Sequence, residues 1–327
     1  MPVWNTNLIQ QSAQRTRHSL SNGHSRFALL VCGLALVLIG ATGLAFAPDD
    51  TPHTRAFWQS IIEHEYAVPA GQSLPDLTRE LTGLLGSPDP DLRDEVAYSI
   101  LAAWIYQKRT IEPAGLRPLM ATLLENLTAD IGGAGTDAVL KRSFSALVLS
   151  VVAARDNAAP FLTETEYRDL VDRALAYLGA ERDVRGYDEE KGWIHSAAHT
   201  ADLLKFLGRN RYLRPSDQVR VLDAVSSKLR GAPVVFTHGE DERFARAILS
   251  LVTRADFSPA GFGAWVERTA PARLTTARPT AADLRARQNI TNLCAKLELL
   301  TLQDTPPEPV LSARDSLRRA LKALSLG

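Results

Sequence analysis

The chain has 327 residues with 37 basic and 37 acidic side chains, so its formal net charge is zero. A hydrophobic fraction of 45% is too high for a disordered protein, and the balanced charge excludes a basic nucleic-acid-binding protein. Two cysteines cannot support a disulfide-rich secreted scaffold.

The N-terminal part of the chain has the charge pattern of a membrane anchor. Residues 1–26 form a basic tail without an acidic residue, and residues 27–47 carry no charge at all. As a helix, this apolar stretch is about 31 Å long, which matches the hydrocarbon thickness of a bilayer. Because Asp49 and Asp50 follow it, the positive-inside rule places the tail in the cytoplasm and the remaining chain in the extracytoplasmic (periplasmic) space.

A cleaved signal peptide is the alternative interpretation of the same segment. Ala45, Phe46 and Ala47 match an A-x-A cleavage site, and cleavage there would yield a secreted protein. The apolar stretch is longer than the h-region of an ordinary signal peptide, which favours an uncleaved anchor. Residues 48–54 then form a short linker to the outer domain.

Residues 55–327 are predicted to form an all-α, helical-repeat domain. Apolar residues recur at helical spacing, for example between 92 and 105 and between 140 and 152. A hydroxyl residue stands three positions before an acid at five predicted helix starts, as in a capping box: Ser73, Thr163, Thr237, Thr280 and Ser312.

The predicted helices come in pairs, which is typical of an α-solenoid. The expected pairs are 74–85 with 91–107, 113–127 with 137–154, 165–178 with 192–207, and 216–229 with 240–253. The second helices recur at the spacing of HEAT-like hairpins. We therefore expect a HEAT-like solenoid of about four hairpins, with C-terminal capping helices at 282–302 and 312–324.

Histidines and carboxylates form one candidate chemical cluster. His195 and His199 are four residues apart in a predicted helix and share a face with Asp202. His238 and Glu240 open the next second helix, which a solenoid places beside the first. Two histidines with a third ligand, His238 or Asp202, predict a zinc-type metal site, and Glu240 is the candidate catalytic base.

Two other interpretations of this cluster stay open, a polar packing cluster and a metal-free ligand or catalytic site. The pair lacks the glutamate of the H-E-x-x-H motif, which removes the protease interpretation. Further side chains are candidates to line a groove at this cluster, although inter-repeat ion pairs also explain several of them: Arg93, Asp94, Arg142, Trp193, Asp241, Glu242 and Arg243.

Four stretches resemble an uncharacterised, mostly bacterial family, domain of unknown function 2785. They read LGSPDPDLRDEVAYSILAAWI, RSFSALVLSVV, GYDEEKGWIHSAAHTADLL and HGEDERFARAIL, and they span roughly residues 75–255. The resemblance implies an all-α, HEAT-like fold with no assigned activity. It also makes residues 192–202 and 238–243 the positions to test.

These observations favour a membrane-anchored helical-repeat protein that binds a protein or peptide partner. The binding edge would be formed by the starts of the second helices, and the membrane contact by residues 27–47. A metal-dependent, hydrolase-type enzyme and a small-ligand sensor are the alternative functions. No nucleic-acid partner is expected.

Overall fold

The computed structural model describes residues 53–270, 278–302 and 308–325. The predicted tail and anchor, and most of the predicted linker, lie outside these residues. The chain divides into two compact units, Met1–Trp58 and Gln59–Gly327. Within the described segments, no helix combines the length and the hydropathy that crossing a membrane requires.

The described part is mostly helical with almost no strand, which confirms the all-α prediction. The helices α1 to α12 span Arg55–Glu63, Leu74–Leu84, 91–107, Pro113–Asn126, Ala138–Ala158, Glu164–Ala180, Ser196–Leu207, Pro215–Gly231, Glu240–Val252, Pro259–Thr269, Ala281–Leu300 and Glu308–Ser325. Each of the eight predicted paired helices corresponds to one of them. A short hairpin of strands β1 (Tyr187–Asp188) and β2 (Gly192–Trp193) precedes α7.

Helix α10 was not predicted from the sequence. It has only 11 residues and contains two glycines, Gly261 and Gly263, which weaken the helical signal. Its start is nevertheless well defined, because the Ser258 side chain accepts a hydrogen bond from the Gly261 amide and Pro259 occupies the first turn.

Three of the five predicted capping hydroxyls cap a helix. Thr163 and Thr280 form complete capping boxes, and Ser73 accepts a bond from the first turn of α2. The other two predictions are wrong. Helix α9 begins behind Gly239, which takes the left-handed conformation, and Ser312 lies inside α12.

The second helices of successive pairs pack directly on one another. Helix α5 packs on α7, α7 on α9, and α9 on α11, while α3 contacts α5. The first helices make a second row, in which α2 contacts α4 and α6 contacts α8. The core lies between the rows, where Trp104, Phe144 and Ile248 are among the buried side chains. The starts of the second helices are thereby brought to one edge.

Helix α3 departs from ordinary α-helical geometry. Its segments Asp91–Tyr98 and Ala103–Gln107 are π-helical, with one α-helical turn, Ser99–Ala102, between them. A π-helix winds about 80° per residue, so side chains five apart lie roughly 40° from one another. At about 100° per residue they would lie about 140° apart. The π-helical turn therefore places Arg93 and Tyr98 on nearly the same face.

Candidate functional site

His195 lies before helix α7, at the end of the hairpin. Its backbone is left-handed (φ 49°, ψ 32°), and its amide donates to the carbonyls of Arg185 and Gly186. The prediction that the helix starts near Gly192 and contains both imidazoles is therefore wrong for His195. Strand pairing of the preceding residues ties their backbone to the 185–188 segment, and the helix begins only at Ser196.

Arg93 fixes the hairpin from inside the protein. Its fully buried guanidinium donates to the carbonyl oxygens of Lys191 at 2.6 Å, Trp193 at 3.2 Å and Ser87 at 3.0 Å. It also lies 4.7 Å from the ring centroid of Phe144. Because a buried charge needs such partners, Arg93 holds the hairpin against α3 and α5. It is an anchor of the predicted groove and does not line it.

Asp94 lies beside this guanidinium. Its Oδ1 is 2.8 Å from Nε of Arg93, without hydrogen-bond geometry. Burial raises the pKa of Asp94 to about 7 and outweighs the lowering effect of Arg93.

The hydrogen bonds of His199 assign its tautomer. The Ser143 hydroxyl donates to the Ile194 carbonyl, so it must accept from Nδ1 of His199, which lies 2.9 Å away. The lone pair of His199 is then on Nε2. Ser143 is fully buried and its proton is engaged, which excludes a serine nucleophile paired with this histidine.

His195 is fixed in the opposite tautomer. Its Nε2 lies 3.0 Å from the His238 carbonyl oxygen, which can only accept, so Nε2 carries the proton and Nδ1 the lone pair. Its ring stacks on Trp193 with centroids 4.2 Å apart, and the His199 ring lies 5.7 Å away. Among the described residues, no hydrogen bond reaches Nδ1 of His195 or Nε2 of His199.

Both imidazoles are neutral at physiological pH. Burial and, second to it, the charge of Arg243 lower the pKa of His195 to about 4. Burial also holds the pKa of His199 well below its ordinary value. Each side chain is only 5% exposed. The arrangement therefore offers two buried proton acceptors whose opposite nitrogens are held by the protein.

Asp202 is engaged by two cations. One carboxylate oxygen contacts Arg243, and the other lies 3.1 Å from Nζ of Lys205. The Tyr98 hydroxyl lies in the field of this pair. Burial, together with the Asp202 charge, raises the pKa of Tyr98 to about 12, so its phenol stays protonated. The predicted face of α7 thus contacts Arg243 from α9, and its Asp202 acts electrostatically on Tyr98 from α3.

The loop before α9 reaches the cluster through its backbone. The His238 carbonyl accepts from His195, and the His238 amide donates to Glu240 Oε2 at 2.8 Å. The exposed His238 ring packs against Gly186, where it leaves no room for a Cβ atom. The predicted proximity of this loop to His195 is confirmed. The contact to His195, however, comes from the His238 carbonyl oxygen.

Three further candidates belong to local ion pairs and turns. Arg142 forms a buried, two-pronged ion pair with Glu181, with the shorter contact at 2.7 Å. Glu242 pairs with Arg246, and Asp241 accepts from the Glu242 amide in the first turn of α9. The ion-pair interpretation of Arg142 is confirmed.

In the segments that the structure describes, no three His, Cys, Asp or Glu side chains are grouped closely enough to hold a metal ion. The zinc-type site of His195, His199, Asp202 and His238 thus stays a prediction. Sequence reasoning missed Tyr98 and Tyr187. Only the π-helical turn places Tyr98, whereas Tyr187 and Trp193, flanking a short acidic turn, are themselves a hairpin signal.

Replacement of His195 by Asn will flatten the pH dependence of stability. Asn tolerates the left-handed backbone and keeps an N–H donor. The folded-state pKa of about 4 lies below the ordinary value of 6.5, so the unfolded state takes up the proton first as the pH falls. The stability contribution is therefore complete above about pH 6.5 and is lost towards pH 4, by on the order of 3 kcal/mol. Urea unfolding at several pH values measures this, and parallel curves for both proteins would contradict a neutral His195.

Comparisons with known proteins identify a family. The family model described as protein of unknown function (DUF2785) matches residues 127–300, which is more than half of the chain. This match begins and ends later than the resemblance expected over 75–255. Comparisons with curated proteins and with solved structures found no match. The chain belongs to the DUF2785 family of proteins of unknown function.

Proposed function

We propose that this chain is a helical-repeat binding module that recognises a protein or peptide partner through an aromatic rim. The aromatic rim consists of Tyr187, Trp193 and His238. The observation that carries the proposal is the fully buried Arg93, which holds the hairpin carbonyls while both hairpin aromatics remain exposed.

The rim has the properties of a binding hot spot. Tyr187 is 45% and Trp193 41% exposed, and their rings meet edge to face at 4.9 Å. The His238 ring lies 6.4 Å from Trp193. Large aromatics held on a rigid support lose little conformational entropy on binding, and Trp and Tyr are enriched among the residues that dominate interface energies.

The stacked helix pairs support the same proposal. We interpret the row α5, α7, α9 and α11 as the HEAT-like solenoid expected from the sequence, with the C-terminal helices as its cap. In such an architecture, the loops along one edge commonly carry the binding residues. The aromatic rim lies at the edge where α7 and α9 begin.

Loss of the rim should weaken partner recognition. A random-peptide library selected on the full chain should yield ligands whose binding falls roughly thirtyfold in the Trp193→Ala and Tyr187→Ala double variant, as expected for a hot spot worth about 2 kcal/mol. The matched control removes two other exposed apolar side chains, Val219→Ala with Leu284→Ala, and should bind normally. Circular dichroism checks that all variants are folded. An empty selection, or ligands that ignore the rim variant, would contradict the proposal.

We also propose that residues 27–47 hold the module at a membrane with the helical domain outside the cytoplasm, as the charge pattern predicts. The full chain should remain in the membrane pellet after alkaline carbonate washing, and deletion of residues 2–47 should release it. Added protease should reach the helical domain only after the outer membrane is permeabilised. A mature protein beginning at Pro48 would show cleavage and contradict the anchor.

The two neutral imidazoles favour a second candidate function, a small-ligand or metal-dependent site. A histidine that binds a metal presents the lone pair of one ring nitrogen, while its other ring nitrogen commonly donates a hydrogen bond. Both His195 and His199 have this arrangement. Asp202 is already paired with Arg243, so water or a ligand would have to complete the coordination. Such a site would supply a polarising cation beside Tyr98.

Elemental analysis tests the metal version of this candidate. The purified full chain, incubated with zinc and desalted, should retain about one ion per chain. Retention should be lost in the His195→Ala and His199→Ala double variant and kept in the His64→Ala control, whose exposed ring bonds only within its own helix end. Absence of stoichiometric zinc in the wild-type chain would leave a metal-free ligand site, which thermal-shift screening detects through ligand-induced stabilisation.

A further inference from the structure

Around the aromatic rim, two basic side chains have ion-pair partners and two acidic side chains have none among the described residues. Two cations next to the hairpin already have partners, since Lys191 pairs with Asp137 and Arg185 with Asp183. Glu189 and Glu190, at the exposed turn between β1 and β2, have side chains without an ion pair or hydrogen bond among the described residues. The uncompensated charge beside Tyr187 and Trp193 is therefore negative.

The ring faces have a matching property. Trp193 stacks one ring face on His195 and remains 41% exposed, and the face of an aromatic ring attracts cations. His195 is neutral, so no positive charge already occupies the inner face. An exposed Trp with two free carboxylates nearby combines cation–π attraction with charge complementarity.

We propose that the partner segment bound by the aromatic rim is cationic, an Arg- or Lys-rich peptide. One guanidinium or ammonium group of the peptide lies over the outer face of Trp193. The neighbouring basic side chains of the peptide form ion pairs with Glu189 and Glu190. This inference rests on the proposed binding function and specifies its ligand. The same carboxylates repel anionic partners such as nucleic acids and acidic lipid surfaces.

A synthetic peptide of alternating Gly and Arg tests the inference on the full chain by calorimetry. The matched peptide replaces each Arg with citrulline, which keeps the shape and loses the charge, and should bind at least tenfold more weakly. Trp193→Ala should weaken the Arg peptide at least tenfold. Glu189→Gln with Glu190→Gln should weaken it severalfold and reduce its salt dependence.

The control variant is Glu125→Gln with Glu267→Gln, which removes two exposed carboxylates elsewhere and should leave binding unchanged. Two results would overturn the inference. One is equal binding of the citrulline and Arg peptides. The other is undiminished binding of the Arg peptide by both the Trp193→Ala variant and the Glu189→Gln, Glu190→Gln variant. Failure here is distinguishable from failure of the proposed function. Library ligands that depend on Trp193 but carry no basic residues would keep the binding module and remove only the cationic class.

Discussion

The buried guanidinium of Arg93 is the interaction on which the candidate site depends. It joins carbonyls that are separated by about a hundred positions in sequence, at Ser87 and at Lys191 and Trp193. Burying a charge is costly unless its donors are satisfied. Separating α3 from the hairpin would leave the guanidinium without partners and would cost much folding stability. The same interaction holds the backbone of Trp193, whose ring stacks on His195.

The polar cluster and the aromatic rim share one construction but differ in chemistry. His195 belongs to both, because its ring stacks on Trp193 while its Nε2 proton is held by the His238 carbonyl. Behind it, His199 and Tyr98 are desolvated and uncharged, and Asp202 is neutralised by Arg243. In front of it, Glu189 and Glu190 are solvated and unpaired. A partner on the rim therefore approaches negative charge, whereas a small ligand behind it meets neutral acceptors.

The helical framework was predictable, and the local geometry of the site was not. Apolar stripes and capping hydroxyls such as Thr163 located the helix pairs because packing and capping act over one or two turns. The residues around His195 have a helical pattern in the sequence, so a helix was expected from Gly192. In the structure, the backbone of Tyr187 pairs with that of Trp193, and these residues form a hairpin instead. The π-helical turn that carries Tyr98 has no residue signature of its own. Its position depends on tertiary packing, and no single window of sequence reports it.

The structural unit of the site is larger than the segment that the family model matches. The family match begins at residue 127, whereas Arg93 and Tyr98 come from α3, before that point. Without α3, the hairpin carbonyls of Lys191 and Trp193 would lose their donor, and the buried ring of Phe144 would lose the cation above it. The matched segment contains both histidines but lacks the residue that positions one of them. Helix α3 therefore belongs to the structural unit of the hairpin, since its Arg93 holds the backbone on which the exposed Trp193 is mounted.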